Sequence, residues 1–305
     1  MTAASVMRPP HLSKLPDYPV TGGAMVLSVI VTAVFWANPS AADPLAVEAS
    51  AFHTEPWRLV TSMLPHLGIF HLAFNLYWVW RFGTVLEERL GSAALAGLVV
   101  LTAAASSAAE YILFNGGLGI SGVLYGFFGL LQVLKARDPR FLGTLDRSTE
   151  TLLVGWFFLA IVLDVTGFMG VANAAHAGGW GMGALLGFVV GARHPRQRIA
   201  AGVGTVAVFV GLWFAATVGL AAINLDGLGH RELYFQAEAA LEAGDVVQAL
   251  EYYEQAADYG ETDRELWAWV AVRWEMIGMP ERAAEAWARS GRTPDQVPPP
   301  PKETP

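Results

Sequence analysis

Cysteine is absent, and charged residues are scarce at 15% of 305 residues. The first absence excludes disulfides and thiol chemistry and leaves the redox compartment open. The second argues against a soluble domain, which carries about 25% charged residues. Basic residues are outnumbered, 19 against 27 acidic, so a nucleic-acid partner is not expected. A cleavable signal is not expected either. The first apolar run starts near residue 23, behind a proline-rich polar lead, and no small-residue cleavage site is convincing. What is present is apolar: 54% of residues are hydrophobic and the mean hydropathy is +0.40.

Seven apolar runs are long enough to be read as spans of a roughly 30 Å hydrocarbon layer. They cover roughly 23–40, 61–82, 93–115, 121–136, 150–170, 174–192 and 200–223. The fourth is short and holds three glycines, which weakens it by hydropathy alone. Lysine and arginine in the short loops set the orientation. Arg8 and Lys14 precede the first span. Arg81 and Arg89 follow the second; Lys135, Arg137, Arg140 and Arg147 follow the fourth; Arg193, Arg196 and Arg198 follow the sixth. The alternate loops hold Arg58 alone, among Asp43, Glu48 and Glu55. The expectation is a cytoplasmic N-terminal segment, 1–22, and a C-terminal tail outside the cytoplasm.

After Ile223 the composition changes: residues 224–305 carry 16 of the 27 acidic residues and no membrane-length run. A period of 34 aligns Gly244 with Gly278, Ala249 with Ala283, Tyr253 with Trp287, Leu233 with Trp267 and Ala237 with Ala271. Small residues at helix crossings and an aromatic in the second helix resemble the tetratricopeptide (TPR) pattern. Two copies are expected, at about 230–263 and 264–297, within a tail of 224–297; an unrelated pair of helical hairpins is the simpler alternative. Residues 298–305 are proline-rich and expected to be disordered.

The chemistry-bearing residues fall in three spans. His176 is followed by Gly179, Gly183, Gly187 and Gly191 at intervals of three or four, all on one helix face. Gly122, Gly126 and Gly129 make a similar stripe in the fourth span, with Ser121 at its outer end. Small residues let helix backbones approach closely in lipid, so the two stripes could bring His176 to Ser121. A serine with a histidine base is the minimum for an activated nucleophile. The bland alternative for His176 is a helix–helix hydrogen bond, although ionisable groups inside membranes are costly and usually functional. For Ser121 the alternative is local backbone bonding.

In the second span His71 and Asn75 stack on one face, with His66 about a turn further out. Such donors can stabilise an acyl-transfer oxyanion. They can equally be polar glue between helices, worth about 1 kcal/mol per bond. No carboxylate completes a triad: Asp164 lies on the fifth span and Glu110 near the outer end of the third. A dyad is the simpler reading, with Tyr125, one turn past Ser121, helping to orient His176.

At this point the chain resembles the rhomboid intramembrane serine proteases, over roughly residues 23–193. Trp57-Arg58 lies in the first outer loop, and His71-Leu-Ala-Phe-Asn75 fits the family's HxxxN. Glu87-Glu88-Arg89 fits its ExR, and Gly119-Ile120-Ser121-Gly122 fits GxSG with Tyr125 in place. Ala175-His176-Ala-Gly-Gly179 with Gly183 fits AHxxGxxxG. Each motif alone is weak; together, in order and on the right spans, they are highly specific.

The resemblance implies an all-α membrane protein with a six-helix transmembrane bundle at 23–193; hydropathy adds a basic loop and seventh helix at 194–223, and composition a small soluble helical tail to which no family role carries over. It implies Ser121 as nucleophile and His176 as general base, then acid. The Ser121 backbone N–H, His71 and Asn75 would form the oxyanion hole, and Tyr125 would pack against the His176 ring. Glu87 and Arg89 would join loop and helix ends, and Trp57-Arg58 would brace the first loop. The implied activity is serine endopeptidase cleavage of transmembrane protein substrates near the outer surface of a bacterial cell membrane. No cofactor is needed for it, and no metal site is expected, since His66 and His71 lack a third ligand. The intact Ser121 and His176 argue against the family's inactive relatives. The competing expectation is a catalytically silent adaptor holding clients through bundle and tail. A transporter with His71 and His176 in a proton path ranks last, because the other spans are almost wholly apolar.

Overall fold

Each long apolar run becomes a helix whose ends are set by residues that start or stop helices. The computed structural model describes residues 9–114, 116–227, 229–259 and 263–296. The expected proline-rich end, 298–305, and the first eight residues lie outside them. The described chain is all-helical, in two compact units, Met1–Ala216 and Thr217–Pro305.

Among the described residues of the first unit seven long helices follow one another: α1 (Pro19–Ala37), α2 (Ile69–Leu90), α3 (Ser92–Leu113), α4 (Ser121–Arg137), α5 (Arg147–Val165), α6 (Asn173–Val190) and α7 (Pro195–Ala216). Among the described residues, α1, α3, α5 and α7 are long and apolar enough to cross a membrane by length and composition. The polar site residues sit on the other three. Every side chain from Ser121 to Leu131 of α4 is buried, which makes α4 the centre of the bundle. A helix buried all round must offer close approach to several neighbours, and its three glycines meet that need.

The second helix departs most from expectation. The apolar run predicts a span over 61–82, but the helix begins at Ile69, because Pro65 and Gly68 break the chain after a one-turn helix at Arg58–Thr61. It also runs on to Leu90, through Glu87 and Arg89. Hydropathy stops at such charges, but here Glu87 has partners. Its carboxylate accepts the Val20 and Thr21 backbone N–H groups at 2.9 Å each, the Thr21 hydroxyl at 2.7 Å and the Ser92 hydroxyl at 2.7 Å. It therefore satisfies two orphan donors at the start of α1, which opens on Pro19. The Arg89 guanidinium lies 5.3 Å over the Phe141 ring, and its carbonyl accepts from Arg140 Nη1 at 3.1 Å.

Elsewhere the shifts are small. α5 starts where Asp146 accepts the Thr149 N–H at 2.9 Å and pairs with Arg81 at 3.1 Å. Those contacts, the Thr149 N–H first, hold the Asp146 carboxyl below the usual carboxylate range. α7 ends at Ala216, and the apolar stretch to residue 223 becomes a separate turn, Leu220–Ile223. In the outer loop Arg58 binds the Glu55 carboxylate at 2.5 Å and the carbonyls of Asp43 and Ala46 at 2.5 and 3.1 Å. Trp57 beside it stays half-exposed.

The second unit contains two helical hairpins, α8 (His230–Glu242) with α9 (Val246–Ala257) and α10 (Arg264–Met276) with α11 (Pro280–Ser290). Equivalent helices begin 34 residues apart, as His230 to Arg264 and Val246 to Pro280 show. Gly244 and Gly278 turn the two hairpins at φ 80° and 76°, a backbone region that favours glycine. Ala237, Ala249, Ala271 and Ala283 are buried at matching positions. Glu254 ties the hairpins together, accepting from Trp274 Nε1 at 2.7 Å and from Arg282 at 2.6 Å.

Candidate active site

Ser121 is the first residue of α4, and the turn before it is shaped by glycine. Gly119 has φ 115°, and a Cβ there would lie 2.8 Å from His71 Cε1, so no other residue seats as closely against that ring. The Gly119 N–H is bound by the Ser62 carbonyl at 3.1 Å, and the Ile120 N–H by His66 Nε2 at 3.3 Å. The Ile120 carbonyl then accepts the Leu124 N–H at 3.0 Å, which starts the helix under the serine.

His176 lies in the first turn of α6. The helix start is held by Glu110 of α3, whose carboxylate accepts the Ala175 N–H at 2.8 Å. A carboxylate at a helix N-terminus satisfies an orphan donor and meets the positive end of the dipole. The glycine stripes then settle the distance between helices. A Cβ on Gly179 would run into the Gly122 carbonyl, and one on Gly183 into the Gly126 carbonyl. Gly122 itself leaves room only for Ser106 on α3. Backbone therefore packs on backbone, and His176 Nε2 comes to 2.9 Å from Ser121 Oγ.

Both side chains are buried, His176 at 4% and Ser121 at 9% exposure, so the contact is shielded from bulk water. For Nε2 to accept the serine proton, the ring proton must sit on Nδ1. That nitrogen is buried and meets no hydrogen-bond partner among the described residues. The two nearby carboxylates are engaged elsewhere: Glu110 at the Ala175 N–H, and Asp164 at the Val171 N–H and the Asn173 amide, 3.2 and 3.1 Å. The ring is stacked against an aromatic side chain instead. Tyr125 lies 4.6 Å from the His176 ring at 30°, and its hydroxyl is anchored to the Leu153 carbonyl at 3.0 Å. The arrangement is a serine–histidine pair with an aromatic support.

His71 and Asn75 sit one turn apart on α2. His71 is half-buried with its ring against Gly119, while Asn75 is 1% exposed. The Asn75 Nδ2 group has no hydrogen-bond partner among the described residues, so it is a donor in reserve. A buried amide left so is costly unless another group uses it. Three roles escaped the sequence reading. Glu110 starts α6, Leu153 anchors Tyr125, and His66, expected on the second helix, lies in the preceding loop. Each acts across tens of residues of chain, so no local spacing could reveal it.

Residues 53–193 match the family model of the Rhomboid domain. The chain is 34% identical over 182 residues to the rhomboid protease GlpG of Serratia proteamaculans, covering 56% of this chain and 62% of that protein. It is 34% identical over 151 residues to the GlpG protein of Klebsiella pneumoniae subsp. pneumoniae, 47% of this chain and 51% of the relative. It is 33% identical over 141 residues to that of Yersinia pseudotuberculosis, 46% and 50%. The chain thus spans between half and 62% of the length of these curated relatives. The matched segment contains Arg58, His71, Asn75, Glu87, Ser121, Tyr125 and His176. Over residues 53–193 the chain is thus similar to the rhomboid family, and with its apolar membrane-length helices it is an integral membrane protein.

Proposed function

We propose that this chain is an intramembrane serine endopeptidase working through a Ser121–His176 dyad. The observation that carries this reading is the buried 2.9 Å contact between His176 Nε2 and Ser121 Oγ. His176 takes the Ser121 proton as Oγ attacks a substrate carbonyl, then gives it to the leaving amine. The Ser121 backbone N–H, His71 and Asn75 donate to the oxyanion, and the buried Asn75 amide is suited to that task. Water then attacks the acyl-enzyme with His176 again as base. The substrates are transmembrane proteins that unwind locally at the cut, because a peptide bond within a helix is shielded by its own hydrogen bonds. The protein resides in a bacterial inner membrane, with its N-terminus cytoplasmic and its tail outside, as the arginine and lysine loops favour. Tyr125 and the glycines at 119, 122, 179 and 183 support the dyad; Arg58 with Trp57, Glu87 and Arg89 hold the loops that frame it.

The test is fluorophosphonate labelling of the membrane-reconstituted full chain, together with cleavage of a generic transmembrane substrate. Wild type is expected to label and cut, and Ser121→Ala to do neither. Wild type that does neither would move the reading to a silent adaptor.

For residues 230–297 we infer a TPR-like pair of repeats that recruits a protein partner or substrate. Removing residues 230–305 is expected to change the choice among natural substrates and leave cleavage of the generic one intact. Loss of both activities on truncation would make the tail a support for the core instead.

A further inference from the structure

His66 is fully buried in the loop between the one-turn helix Arg58–Thr61 and α2, and every polar atom around it has a defined direction. Its Nδ1 lies 2.9 Å from the Leu64 carbonyl and 3.3 Å from the Thr32 hydroxyl of α1. A carbonyl only accepts, so Nδ1 carries the proton and Nε2 is bare. Nε2 is then the acceptor for the Ile120 N–H at 3.3 Å. The His66 carbonyl is held by Trp36 Nε1, also from α1, at 2.8 Å. The neighbouring Ser62 carbonyl binds the Gly119 N–H at 3.1 Å. The loop 62–66, braced by α1, therefore binds two successive amides immediately ahead of the nucleophile. The next peptide unit is bracketed between that tie and the helical bond from the Ile120 carbonyl to Leu124. That unit carries the Ser121 N–H.

We infer that His66 is a positioning residue for the reaction: a neutral imidazole, locked as the Nδ1–H tautomer, that aims the Ser121 N–H and Oγ. This rests on the dyad reading above. His66 touches neither the substrate nor the reacting atoms. It acts through Ile120 and, by ring contact at 5.0 Å, through His71. A reacting group misplaced by about 1 Å can cost about 10²-fold in rate, so the effect falls on turnover rather than on substrate binding.

Two near-isosteres separate positioning from plain support. Glutamine reaches as far as the imidazole Nε2 and can still accept the Ile120 N–H. Asparagine reaches only to the Nδ1 position and restores the Leu64 bond alone. The experiment measures kcat, KM, the fluorophosphonate labelling rate and the thermal midpoint. It uses the reconstituted full chain as wild type, Ser121→Ala, His66→Gln, His66→Asn and His66→Leu. Expected is a loss of about 10²-fold in kcat and labelling rate for His66→Asn and His66→Leu, with KM within about threefold. His66→Gln is expected to recover most of that loss, although its midpoint falls like that of His66→Asn. Equal kcat for His66→Gln and His66→Asn, or lowered midpoints with kcat unchanged, would overturn the inference and leave the dyad standing. An inactive wild type, or an active Ser121→Ala, would overturn the dyad reading and this inference with it.

Discussion

His176→Ala is expected to lower turnover by about 10⁴-fold or more in a chain that still folds, and to abolish fluorophosphonate labelling. The magnitude follows from the surroundings of the ring. A serine hydroxyl is a weak nucleophile until a neighbour takes its proton, and His176 Nε2 is that neighbour at 2.9 Å. The neighbouring carboxylates are bound elsewhere. Glu110 and Asp164 are committed to backbone and amide donors around the start of α6. His66 is turned to the Ile120 N–H instead. Folding should survive, because the helix crossing rests on glycine backbones rather than on the imidazole. Tyr125 loses its stacking partner but keeps its anchor on Leu153. The measurement is single-turnover cleavage of a transmembrane substrate beside a labelling time course. Turnover within about tenfold of wild type would remove His176 from the mechanism, since general-base catalysis alone is worth about 10²-fold or more.

The second large effect belongs to a single methyl group. Gly179→Ala places a Cβ where the Gly122 carbonyl already sits. Alanine should favour the helix, by up to about 1 kcal/mol over glycine. Overpacking a close contact costs about 1–3 kcal/mol, and here the obstacle is backbone that cannot rotate away. The clash should win, forcing α4 and α6 apart. Gly122 directly follows Ser121, and Gly179 lies one turn past His176, so the separation opens at the dyad itself. A loss of about 10²-fold in kcat is expected together with a lower thermal midpoint. Gly181 supplies the control, since a Cβ there meets nothing within 4 Å. Gly181→Ala should keep wild-type turnover and midpoint. Equal behaviour of the two variants would show that backbone contact at Gly179 does not set the Ser121–His176 distance.

The contrast between these two glycines shows how far a linear reading reaches. That α4 and α6 pack face to face is written in the spacing of Gly122, Gly126, Gly179 and Gly183, because residues three or four apart share a helix face. How close the two stripes come is not written there: only the packed helices show that a Cβ on Gly179 would run into the Gly122 carbonyl, while one on Gly181 meets nothing within 4 Å. The start of α2 was misplaced for a related reason. Pro65 and Gly68 are visible stop signals, but the apolar side chains around them kept the hydropathy high. The far end of α2 was cut short because Glu87 looks unfavourable until the orphan amides of α1 are beside it.

Composition and periodicity by themselves determined that this chain is helical and membrane-embedded, that its composition changes near residue 224, and that its polar side chains concentrate on three helices. These are properties of segments, and burying apolar surface or repeating every 34 residues needs no partner to be seen. Tertiary structure alone decided the hydrogen-bond partners. Glu110 reaches Ala175 across 65 positions, His66 reaches Ile120 across 54, and Glu87 reaches Val20 across 67. Buried polar groups must find partners wherever the fold places them, and inside a membrane there is little water to stand in. The sequence names such groups; only the packing of helices pairs them.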